Sequence, residues 1–61
     1  MNLGFETENL EFKTTTGEIK EALNSIVAML NKSGYGTIYF GVDNKGNVVG
    51  QDIGSMTLCS N

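Results

Sequence analysis

The sequence predicts an α+β fold, a β-α-β-β unit with one amphipathic helix packed on a small mixed sheet. Three observations predict it. Ile19, Ala22, Leu23, Ile26, Val27 and Leu30 recur at helical spacing, so one apolar stripe runs along about four turns. Thr37-Ile38-Tyr39-Phe40-Gly41-Val42 is β-branched and aromatic with almost no polar relief, the composition of a central strand covered on both faces. Between that run and Val48-Val49 stands Asp43-Asn44-Lys45-Gly46, a turn by composition.

Taken in order, Leu10-Glu11-Phe12-Lys13 alternates apolar and charged residues, the period of a short half-buried strand. Thr15 and Glu18 stand three apart, the spacing of a capping box. The helix is expected over residues 16–32, ending at Asn31-Lys32-Ser33-Gly34, where Gly34 is free to take a positive φ. The central strand is expected over 37–42 and an antiparallel return strand over Asn47-Val48-Val49-Gly50. The helix stripe with Phe40, Val42 and Val48 should supply most of the core. Met56-Thr57-Leu58-Cys59 reads as the opening of a second helix, which makes residues 1–61 the N-terminal portion of a larger domain.

Composition narrows the function. The chain has 61 residues, and one this short buries only about 60% of the surface it exposes when unfolded. It has no His, which excludes a His metal site and a Ser–His–Asp triad, and its one cysteine excludes an intrachain disulfide. Four lysines stand against seven acids, with no arginine, for a net charge of −3. That balance argues against a free-standing nucleic-acid binder, because phosphate contacts need clustered cations. No apolar run approaches the ~20 residues of a membrane span. The lack of paired cysteines fits a reducing compartment, so a cytoplasmic location is expected.

The glycine motifs fail as phosphate sites. Gly34-Tyr35-Gly36 follows a helix and precedes a strand, the reverse of a dinucleotide loop. Gly41 and Gly46 have the P-loop spacing, but Asn47-Val48 stands where Lys-Ser/Thr is required. Among the acids, Glu6, Glu8 and Glu11 crowd the N-terminal segment and Asp43 follows the central strand; hard oxygen donors of this kind suit Mg²⁺ or Mn²⁺ when they converge, and form a solvated surface when they do not. Lys13, Lys32 and Lys45 are phosphate-contact candidates or ordinary solubilising charges. Tyr35 is the best candidate for an exposed, base-stacking aromatic; Tyr39 and Phe40 point to opposite faces, so at least one is core.

In order and spacing the segments resemble a known family. Glu6-Thr7-Glu8-Asn9-Leu10-Glu11-Phe12-Lys13 is similar to its opening motif, Ala28-Met29-Leu30-Asn31 to its helix end, Gly36–Asp43 to its glycine-led strand, Gly46–Asp52 to its return strand, and Thr57-Leu58 to the start of its next helix. This is the Schlafen AlbA-like DNA-binding domain family, and the resemblance spans residues 5–58, about the first half of that domain. Tyr35 departs from the family pattern by separating two glycines that are usually adjacent. The resemblance implies a DNA-binding module of a transcriptional-regulator-like protein. It also implies two alternatives: a Mg²⁺- or Mn²⁺-dependent nuclease in which Glu6, Glu11 and Asp43 are the catalytic and metal-binding carboxylates, and, more weakly, ATP binding. Convergence of Glu6 and Glu11 requires a turn near Glu8-Asn9, because residues five apart on one strand point to opposite faces. No cofactor is expected in these 61 residues alone, with Mg²⁺ or Mn²⁺ assigned to a full domain. A doubly apolar strand served by one helix leaves an apolar face uncovered, so a homo-oligomer is expected as well.

Overall fold

A computed structural model describes residues 2–50 and 53–60. The elements run β1 (Leu10–Lys13), a 3₁₀ turn (Thr16–Glu18), α1 (Ile19–Ser33), β2 (Tyr35–Phe40) and β3 (Gly54–Cys59). They form a three-stranded mixed sheet in the order β1-β2-β3, β1 parallel and β3 antiparallel to β2, with α1 packed on one face. The α+β reading stands.

The helix starts with the expected Thr15 and Glu18, but each side chain finds a partner one residue earlier than in a capping box. Thr15 Oγ1 accepts from the Gly17 N–H at 3.0 Å, while the Glu18 carboxylate turns back to the Thr14 N–H and hydroxyl. This tightens the entry into a 3₁₀ turn before the α-helix proper. At the other end Gly34, φ +86°, closes α1 with its N–H on the Leu30 carbonyl.

The core is narrower than the apolar stripe. Ala22, Ile26 and Met29 face the sheet and meet Ile38 and Phe40, with Leu30 and Met56 at the margin. Phe12 and Val42 are also buried, whereas Val48 is only half-buried. Ile19, Leu23 and Val27 of the stripe stay 47%, 45% and 54% exposed. A helix resting on one side of a flat sheet buries a face about one residue wide per turn, and here Met29 takes the third place in that face.

β2 is not covered on both faces. Gly36, Ile38 and Phe40 are buried under α1, while Tyr35, Thr37 and Tyr39 point to the opposite, half-exposed face.

Two further expectations are corrected. Residues 47–50 are not a strand of the sheet; only the Val42–Val48 pair bridges across the turn. The reason is Gly41. Its φ is +84°, and both Gly41 and Val42 donate to the single carbonyl of Lys13. The chain bends there, and the Gly41 carbonyl is taken by the N–H groups of Val49 and Gly50. The returning segment therefore follows the bent portion and leaves the edge of β2 free. The second correction is that 56–59, expected to open a helix, lies in β3 and fills that edge. Met56 and Leu58 pair with Ile38 and Gly36 toward α1, and Thr57 pairs with Thr37, their hydroxyls 3.0 Å apart.

Candidate functional site

The first strand sorts the N-terminal candidates. Thr7 and Leu10 exchange backbone hydrogen bonds of 2.9 and 3.2 Å, closing a turn over Glu8-Asn9 where one was required. The turn folds Glu6 back along β1, where its Oε2 accepts from the Phe12 N–H at 2.9 Å. Parallel pairing puts Glu11 beside Ile38 and Lys13 beside Phe40, on the α1 face; Phe12 lies beside Tyr39 on the open face, ring centroids 6.3 Å apart.

On the α1 face the charges neutralise one another. Lys13 Nζ lies 3.5 Å from Glu11 and 3.5 Å from Glu21. Burial alone would lower the Lys13 pKa, but Glu11, Glu21 and Glu18 outweigh it and the ammonium is held above its ordinary value. Glu11 Oε2 is itself buried and makes no hydrogen bond. Lys32 pairs with Glu8 at 3.4 Å. Between them lies an open groove of about 270 Å³, with Thr7, Glu8 and Glu11 on one wall and Ser25, Ala28, Met29 and Lys32 of α1 on the other.

Asp43 has a structural task. Its Oδ1 accepts from the N–H groups of Lys45 and Asn47, each at 2.9 Å, which closes the turn. Those donors, Asn47 first, hold its carboxyl below the ordinary value against a smaller opposing effect of burial. Lys45 is exposed at the tip of this turn.

The carboxylates do not fit a shared divalent ion. Glu6 is directed to a strand N–H, Glu11 to Lys13 and Asp43 to its own turn. Among the described residues no three acidic or cysteine side chains are grouped so as to hold a metal.

The depressed carboxyls carry a pH prediction. Glu18 is also held below its ordinary value, by the Thr14 hydroxyl first and then the Thr15 and Thr14 backbone, with burial opposing. A carboxyl whose folded pKa is lowered contributes stability above its unfolded pKa and loses it as pH falls through the folded value. Lys13, raised, contributes below the ordinary lysine range and loses that contribution only in strong alkali. The melting temperature is therefore expected to stay level through neutrality and to fall from about pH 4 downward. Melts of Asp43→Asn across that range should show a shallower acid-side decline; an unchanged slope would remove Asp43 from the account.

The open sheet face holds the remaining candidate. Tyr35 is 48% exposed, and Tyr39 stands four residues along the same strand face, half-exposed. Residues four apart on a strand lie roughly 13 Å from one another. Thr37 and Thr57 lie between them, and Asn9 Nδ2 holds the Tyr35 carbonyl at 3.4 Å. The sequence left open which of Tyr39 and Phe40 is core and which could join Tyr35 as a stacking ring; the alternation of 35–40 under a helix on one side puts Phe40 in the core and Tyr39 on this face.

A family model described as Schlafen, AlbA_2 matches residues 6–59. The chain belongs to the Schlafen AlbA_2 family. Curated proteins and solved structures give no match. For this Schlafen AlbA_2 chain the matched span takes in β1, α1, β2, the Asp43–Asn47 turn and β3, and so both the groove and the open aromatic face. None of the helices among the described residues is long and apolar enough to cross a membrane.

Proposed function

We propose that this chain is a nucleic-acid-binding module, of a transcriptional-regulator-like protein, that takes a single strand on the sheet face opposite α1. The observation that carries the reading is the pair of aromatic side chains, Tyr35 and Tyr39, on a half-exposed sheet face in a Schlafen AlbA_2 chain. Flat rings at strand spacing stack on unpaired bases, and stacking is worth about 1–3 kcal/mol per base. Phosphate contacts have little to draw on. Lys13 and Lys32 are paired with acids, and among the described residues only Lys20 and Lys45 have no ion pair. Binding is therefore expected to be modest and to show a shallow salt dependence.

Fluorescence anisotropy with labelled single-stranded and duplex oligonucleotides tests this. The single strand should bind more tightly than the duplex. Tyr35→Ala should weaken single-strand binding by about 5- to 150-fold, the span of one lost stacking contact, with the melting temperature retained. Equal affinity of Tyr35→Ala and the unaltered chain, or preference for duplex, overturns the reading.

A further inference from the structure

We infer that the outer edge of β3, together with the exposed Ile19–Leu23–Val27 stripe of α1, pairs with the same surface of a second copy of this chain.

The two edges of the sheet are treated differently. At β1 the edge N–H of Phe12 is taken by Glu6, an acidic side chain folded over the strand. β3, Gly54-Ser55-Met56-Thr57-Leu58-Cys59, has neither a charged residue nor a proline, the usual devices that keep an edge from pairing. Its free groups can be assigned. The Thr37 N–H donates to Asn9 on the β1 side, and the Ser60 N–H donates to the Gly34 carbonyl just beyond the end of the β2–β3 ladder. In an antiparallel ladder the bonded pairs alternate, so Met56 and Leu58 bond β2 while Ser55, Thr57 and Cys59 turn their N–H and C=O groups outward.

A two-fold axis at Thr57 satisfies all of these at once. Thr57 then faces its own copy, and Ser55 faces Cys59 of the second copy in both directions. Each facing pair exchanges two bonds, about six in all. The three-stranded sheet becomes one continuous sheet across the axis.

The helix stripe lies on the right side for this. Glu21, Ser25 and Lys32 mark the flank of α1 that looks toward β1. Ile19, Leu23 and Val27 lie across the buried Ala22–Ile26–Met29 seam from them, on the flank above β3, where Leu58 is also 42% exposed. An axis perpendicular to the sheet puts both helices on one face with these stripes toward each other. The two β2 strands would be roughly 14 Å apart, and α1 also contacts β3, so the long side chains span what remains.

Charge leaves this edge as the one along which a second copy of the same chain can approach. A second molecule of net charge −3 is repelled wherever acids face acids. Glu6, Glu8, Glu11 and Glu21 lie at the β1 side and Asp43 in its turn. No acid among the described residues of β3 or of the stripe opposes the approach.

Sedimentation of the 61-residue chain without nucleic acid is the test, which keeps it separate from the binding reading. A concentration-dependent monomer–dimer equilibrium is expected. Thr57→Pro removes the outward N–H and, with the side chain, the Thr37–Thr57 hydroxyl contact, so Thr57→Val, which loses the hydroxyl alone, is its control and should dimerise as the unaltered chain does. Thr57→Pro and Val27→Lys, the latter at an exposed helix position, should each raise the dimer dissociation constant at least about tenfold with the circular dichroism of the monomer retained. Ser55→Cys should form a reducible covalent dimer with Cys59 of the second copy, because facing Cα atoms at about 5.5 Å suit a disulfide. A monomer up to about 1 mM, growth beyond a dimer, or dimerisation of Thr57→Pro equal to the unaltered chain overturns the proposal.

Discussion

Ile38→Ala is expected to leave the chain largely unfolded at 25 °C. Ile38 is fully buried at the centre of β2, enclosed by Ala22, Ile26, Met29 and Phe40. Removing a buried isoleucine side chain to Cβ costs about 2–5 kcal/mol, the lost transfer energy plus the cavity left behind. A domain of this size has only about 3–5 kcal/mol in total from a single small core. Far-UV circular dichroism should lose its helical signal and the urea transition should disappear or move close to zero denaturant. Val27→Ala is the control: it shortens a member of the helix's apolar stripe, yet Val27 is exposed and the change in the monomer's stability should stay within about 0.5 kcal/mol. A cooperative Ile38→Ala transition near that of the unaltered chain would show that the core lies elsewhere.

Gly36→Ala is expected to lower the melting temperature by about 5–20 °C, the shift that 1–3 kcal/mol produces in a domain this small. Gly36 sits directly under α1. A Cβ there would lie 2.5 Å from Met29 Sδ and 2.6 Å from Met29 Cβ. The sulfur can swing away, but the Met29 Cβ is fixed to the helix backbone, so α1 must lift from the sheet and carry Ile26 with it. The gain from a less flexible unfolded chain, about 0.4–1 kcal/mol, does not offset this. Met29→Ala combined with Gly36→Ala should recover little, since both Cβ atoms remain; full recovery in that double variant would place the clash in the flexible end of Met29 instead. The same glycine bears on the open face. A tilted helix disturbs β2, and with it the spacing of Tyr35 and Tyr39.

The helix, the strands on either side of it and the turn at Asp43 were legible because their signals are local. Ile19 through Leu30 repeat at 3.6 residues, Leu10 to Lys13 alternate, and Asp43 caps a turn with its own carboxylate two and four residues on. Family membership was legible for the same reason, since it rests on motifs read in order. The turn over Glu8-Asn9 was also foreseen, yet the purpose given to it was not realised. It brings Glu6 to the Phe12 N–H, and Glu11 turns toward Lys13. Chain spacing shows that a turn is needed to bring Glu6 back toward Glu11, but which neighbour each carboxylate finds depends on Lys13 and Phe12, and these are placed by pairing with β2.

By itself the sequence determined the α+β class, the span of α1, the central place of β2, and the absence of histidine chemistry or a disulfide. Tertiary structure alone decided how much of each apolar pattern is buried and which segment completes the sheet. Hydrophobic periodicity says which residues share a face, not whether anything covers it. Thus Ile19, Leu23 and Val27 match the core pattern and stand exposed, while Tyr35, Thr37 and Tyr39 form an open face on a strand that reads as buried throughout. Met56-Thr57-Leu58-Cys59 is too short for period to separate strand from helix. It became β3 because the bend at Gly41 diverted residues 47–50 and left the backbone groups of β2 unpaired along one edge, and unpaired backbone groups beside a core must be satisfied by whatever chain is within reach.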